Sequence, residues 1–186
     1  MAGDDVWVLG AHMTKFGRHD DKDVGDLAAI AALGALHDGG VTIQDMDVMG
    51  AGSLFNAGAG IGQQIQKQIG QTGIPVFNVS NACATGAATI QQAANAIVAG
   101  VADVAVAVGM DKHPRGSFKV DPTLTNVPAW YGDNGQFVTT KFFGMKINKY
   151  MHDHGISART LARVAAKNYR NGALNPNAFR RKPMSE

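Results

Sequence analysis

The chain has 186 residues, is 45% apolar, balances 17 Lys and Arg against 15 Asp and Glu, and holds one cysteine. These proportions predict a packed globular core, one domain with at most an appended element, and they exclude wholesale disorder and an internal disulfide. The N-terminal MAGDDVWVLGA has no basic region ahead of a long apolar run, so a soluble chain in a reducing, cytoplasmic compartment with no membrane span is expected.

In chain order, VWVLGA at residues 6–11 is a short apolar run ended by glycine and predicts a first strand. DVGDLAAIAALGALHDGG sets Val24, Leu27, Ala28, Ala31, Ala35 and Leu36 close to helical spacing and closes with Gly39 and Gly40 as a C-cap. MDVMGAGS predicts a second strand, GIGQQIQKQIG at 60–70 a short helix, PVFNV a third strand, the segment after Cys83 a helix and VADVAVAVGM a fourth strand. Strands alternating with helices predict βαβ units, hence an α/β fold with a mostly parallel sheet. Gly58, Gly60 and Gly62 do not complete a dinucleotide fingerprint with its later acid and read as a loop and helix start.

Between Lys67 and Asp103 there is no charged residue and no histidine. Ala84, Gly86, Ala87, Ala88, Ala93, Ala94 and Ala96 give the helix small side chains on nearly every face, which predicts a buried helix that its neighbours approach closely. Cys83 falls where strand gives way to this helix. Backbone N–H groups and the positive end of the helix dipole there favour a thiolate nucleophile, and the amide of Cys83 itself can bind an oxyanion. The other reading is that Cys83 is a small buried hydrophobe, a common fate of free cysteine.

Charge is unevenly spread. Residues 1–140 carry seven Lys or Arg against thirteen Asp, and residues 141–186 carry ten against Asp153 and Glu186. Such a block suits either phosphate groups or a solvated helix face. Ser157 predicts the N-cap of ARTLARVAAKNYRN, where Leu161, Val164, Ala165 and Asn168 make one face and Arg159, Arg163, Lys167 and Arg170 fall on the others. Nucleic acid is not expected, because aromatic residues are not interleaved with the basic ones. Glu186 is the sole glutamate, so a buried glutamate base or an HExxH zinc site is not available within these residues, and no metal site is expected.

The run NVSNACATGAATIQQAANAIVAGVADVAVAVGMDKHPRG resembles the nucleophile region of thiolases, most closely the branch of the sterol carrier protein thiolases. The later WYGDNGQFVTTKFFGMKINKYMHDHGISARTLARVAAKNYRNGALNPNAFRRK resembles the start of that branch's loop domain. The resemblance implies an incomplete thiolase-like α/β domain over 1–110 and a loop-domain region over 111–186. It implies that Cys83 takes the acyl group of an acyl-CoA, with the coenzyme A thioester as substrate and no prosthetic group. Phe143 and Met145 stand where thiolases carry a loop over the acyl group, or alternatively belong to an apolar stripe with Ile147, Tyr150 and Met151. Lys112 and Arg115 follow the fourth strand, where ligands of parallel sheets gather, and either meet phosphate or stabilise a turn. The basic helix would lie near the adenosine and pyrophosphate of coenzyme A.

The same resemblance implies dimers or tetramers through the N-terminal domain and, for some members, a small OB-fold partner. It leaves three activities open: thiolytic or Claisen-type acyl transfer, retro-aldol cleavage of steroid side-chain thioesters, and a non-catalytic subunit. Thiolases supply an activating histidine in a Gly-His-Pro motif and a second cysteine. His12, His19, His37, His113, His152 and His154 all lie outside such a motif. The chain therefore resembles a front half, expected to be inactive and poorly stable without the remainder.

Overall fold

The computed structural model describes residues 5–56, 58, 60–113, 128–135 and 138–186. The chain divides into two compact units, one ending at Lys112 and one beginning at His113.

The first unit is built on three parallel strands, β1 (Val48–Gly52), β2 (Val76–Val79) and β3 (Ala105–Gly109), in the order β2-β1-β3. Met49 pairs with Val76 on one side and with Val106 on the other. The connections are helices, as parallel pairing requires: α2 (Ile61–Ile69) joins β1 to β2, and α3 (Thr85–Val98) joins β2 to β3.

The helix α1 (Val24–Asp38) precedes the sheet. It starts where the sequence provides a reciprocal cap: the Asp26 amide donates to Asp23 Oδ1 at 2.8 Å and the Asp23 amide to Asp26 Oδ2 at 2.9 Å. It stops at Gly39, as expected. Ala28, Ala29, Ala32 and Leu36 of α1 join Ile61, Ile65 and Ile69 of α2 over Met49, Ala51, Val106 and Val108 of the sheet. That face is the core. Alternation along the strands turns Gly50 and Gly52 to the opposite face, towards α3.

Two expectations are revised. Residues 6–11 form no strand. Their backbone is held instead by the end of α1, where the Ala11 amide donates to Asp38 Oδ2 at 2.9 Å and Gly10 lies against Ala35 O and Gly39. An apolar run becomes a strand only through a ladder, and here helix-end groups take its place. A cleft of ≈ 590 Å³ lies between residues 5–12, α1, α3 and β3. The second revision concerns α3, which buries Thr85, Thr89 and Ala93 and leaves Ile90 and Val98 exposed. Within this chain its burial applies to one face.

The second unit contains, among the described residues, α4 (Ala129–Asp133), α5 (Thr139–His154) and α6 (Ala158–Leu174). Gly155, at φ 63°, ends α5 in the left-handed conformation that glycine adopts without steric cost. Ser157 stands at the N-cap of α6 with extended backbone, although no side-chain hydrogen bond closes that cap. No described helix is long and apolar enough to cross a membrane.

Candidate active site around Cys83

All three strands run the same way, so their C-terminal ends share one edge of the sheet. Three segments meet there. The Met110 amide donates to Gly52 O at 2.8 Å and the Ser53 amide to Val79 O at 3.2 Å. Just beyond β3, Asp111 holds the loop after β1: Ser53 Oγ donates to Asp111 Oδ1 at 2.8 Å, and the amides of Leu54 and Phe55 donate to it at 3.1 Å. Ser53 is fully buried, so this carboxylate satisfies a hydroxyl that water does not reach.

Cys83 emerges from the same edge. Beyond β2 the chain enters a 3-10 turn over Ala82–Ala84 that leads directly into α3. Ala82 has φ 45°, and it is the one non-glycine residue with positive φ among those described. A side-chain-bearing residue held there is strained, and such strain concentrates at functional sites. The thiol of Cys83 is exposed, which sets aside the buried-hydrophobe reading within this chain. No side chain caps the amino end of α3, so the positive end of a helix of 14 residues faces the turn that carries the thiol.

The other expected site residues fall as follows. Lys112 belongs to the first unit, and its ammonium donates to His19 O at 2.8 Å and to Lys22 O at 2.6 Å, tying the end of β3 to the segment ahead of α1. Two of its three donors are thus occupied by the fold. Arg115 lies outside the described residues. Phe143 and Met145 belong to the second unit, on α5, and both are exposed. Phe143 lines a shallow groove with Gly144, Lys146, Ile147 and Tyr150. Beside it Phe142 packs edge-on to Phe143, and the Lys146 ammonium lies 4.3 Å from the Phe142 ring centre. On α6, Arg159 and Arg163 meet Glu186 Oε2 at 3.0 and 3.4 Å, so part of the basic helix is answered by an internal carboxylate. Among the described residues no group of three His, Cys, Asp or Glu is placed to hold a metal ion.

Residues 6–182 match the family described as thiolase, N-terminal domain. The chain belongs to the thiolase N-terminal domain family. Among curated thiolase relatives, it is 30% identical to human sterol carrier protein 2 over 183 residues, covering 92% of this chain and 34% of that one. It is 32% identical to the acetyl-CoA acetyltransferase of Methanothermobacter thermautotrophicus, covering 94% of this chain and 46% of the other. The chain thus spans between a third and half the length of these relatives. The solved structure of the Ltp2-ChsH2(DUF35) aldolase superposes with a TM-score of 0.77 over 95% of this chain and 46% of that one, at 23% identity. That likeness establishes the thiolase-like α/β fold.

Sequence reading misses the part played by Asp111, visible only as a member of DKHPRG, because its partners lie in the loop after β1 and no local pattern marks them.

Proposed function

We propose that this chain forms the nucleophile-bearing part of a thiolase-type acyl-CoA acyltransferase, with Cys83 as the acyl acceptor. The observation that carries the reading is the exposed thiol on a strained turn at the amino end of α3, at the C-terminal edge of a parallel sheet, in a chain of this family. Ligands of open α/β sheets gather at that edge.

In the proposed chemistry the Cys83 thiol gives its proton to a base, and the sulfur attacks the thioester carbonyl carbon of an acyl-CoA. The tetrahedral adduct then expels coenzyme A, whose thiolate recovers a proton, and the acyl group remains on Cys83 as a new thioester. Amides at the start of α3 are suited to hold the oxygen while it is negative. The acyl group next passes to the thiol of coenzyme A or to a carbanion formed from a second acyl-CoA. Following the family pattern, the base is a Gly-His-Pro histidine that residues 1–186 do not supply. Phe143 and Met145 would line the acyl chain, and Arg115 with the free face of Lys112 would meet phosphate. A homo-oligomer through the first unit completes the proposal.

The test is intact-mass analysis of the protein isolated from its native source, before and after brief incubation with acetyl-CoA, with peptide mapping of Cys83. The expected result is one acetyl group on Cys83, absent in Cys83→Ala. A parent protein that stays unmodified, with its copurifying partners retained, overturns acyl transfer.

A further inference from the structure

We propose that Thr85 is the positioning residue for Cys83, with its hydroxyl locking the turn that presents the thiol. The inference rests on the acyl-transfer reading and specifies which group holds the nucleophile in line.

The Thr85 side chain is almost wholly buried, 5% exposed, although it stands at the first position of a helix. Its Oγ1 accepts from the Asn81 amide at 2.8 Å and donates to Ala82 O at 2.7 Å. The Thr85 amide also donates to Ala82 O. One hydroxyl therefore bridges the Ser80–Asn81 and Ala82–Cys83 peptide groups and spans Ala82, the residue held at φ 45°. Cys83 is next in the chain, so the orientation of the Ala82 peptide fixes the direction in which the Cys83 side chain leaves the backbone.

Thr85 also packs on the sheet: its methyl group lies so close to Gly52 of β1 that a Cβ there would sit 2.9 Å away, while within the helix its carbonyl accepts from Thr89 Oγ1 at 2.8 Å. The hydroxyl and the methyl thus do different things: one holds the turn, and the other seats the helix on β1. A merely structural threonine would need only the second. Replacement by valine keeps the shape and deletes the clamp, whereas serine keeps the clamp and deletes the methyl.

The experiment uses the complete protein from its native source, as parent, Thr85→Val, Thr85→Ala and Thr85→Ser. Two reactions of Cys83 are followed: acetylation at saturating acetyl-CoA, with the half-saturating concentration, and alkylation by iodoacetamide across pH. Misaligned reacting groups can lose about 100-fold in rate, so Thr85→Val is expected to acetylate about 100-fold more slowly with half-saturation nearly unchanged. Its alkylation profile is expected to be displaced along the pH axis, and Thr85→Ser to stay within about threefold of the parent in acetylation rate. If Thr85→Val does not fold, Thr85→Ala, which lacks both hydroxyl and methyl, is compared with Thr85→Ser, which lacks only the methyl, so that the difference between the two reads the hydroxyl. Thr85→Val acetylating at the parent rate, or Thr85→Ser falling as far as Thr85→Val, overturns the proposal. If the parent takes no acetyl group, acyl transfer fails, and the alkylation profiles decide alone: superimposed profiles overturn the positioning role, and displaced profiles support it.

Discussion

Asp47 Oδ2 accepts from the amides of Asp103 and Val104 at 2.8 and 3.0 Å, joining the residue ahead of β1 to the loop ahead of β3. These bonds stabilise the charged carboxylate: the Val104 amide, followed by that of Asp103, holds its pKa below the usual aspartate value. A depressed folded-state pKa contributes stability that is present above the unfolded value and is lost as pH falls through the folded one. Asp47→Asn keeps an acceptor and loses the charge. At neutral pH it should melt below the parent, and the gap should close as the solution is acidified past the ordinary carboxylate range. A gap that persists in acid would mean that geometry, and not charge, carries the contact. Nothing around Asp47 in the sequence marks this role, because its two donors lie more than fifty positions away. Ala82 was equally silent, since no residue pattern signals an alanine held at positive φ.

Most elements of the first unit were legible from periodicity and glycine punctuation, although residues 6–11, an apolar run with the same punctuation, form no strand. The helices α1 and α2 and the strands β1, β2 and β3 all lie within the segments predicted for them. What periodicity cannot express is how closely two elements approach. Gly50 and Gly52 let α3 lie against β1: a Cβ at Gly52 would fall on Thr89 Oγ1 and Thr85 Cγ2, and one at Gly50 would come within 3.0 Å of Thr89 Cγ2. Gly52→Ala should therefore push α3 off the sheet. Overpacking of this kind costs about 1–3 kcal/mol, to be read from denaturant unfolding. Because Thr85 rides on the same contact, the variant should also slow acetylation of Cys83 by more than the stability loss alone explains. An unfolding midpoint equal to the parent's would show that the helix–strand spacing is not set by these glycines.

For the molecule as a whole, the question is where its uncovered apolar surface goes. Scattered exposed apolar side chains are normal in folded proteins. Exposed apolar groups beside an open cleft, or along helices that bury no residue, are a different matter, and both occur among the described residues. In the first unit Trp7 and Val8 are 79% and 83% exposed, beside a cleft whose walls include Ile90, Ile97 and β3; among the described residues no strand pairs with the outer edge of β3. In the second unit no residue of α5 or α6 is fully buried, and helices draw most of their stability from packing an apolar face. Large exposed patches and open sheet edges both favour association. The 186-residue chain on its own should therefore sediment as concentration-dependent oligomers, bind a hydrophobic dye and melt over a broad range. A sharp monomeric melt without dye binding would mean that residues 6–11 close onto β3 by themselves and that the chain needs no covering partner.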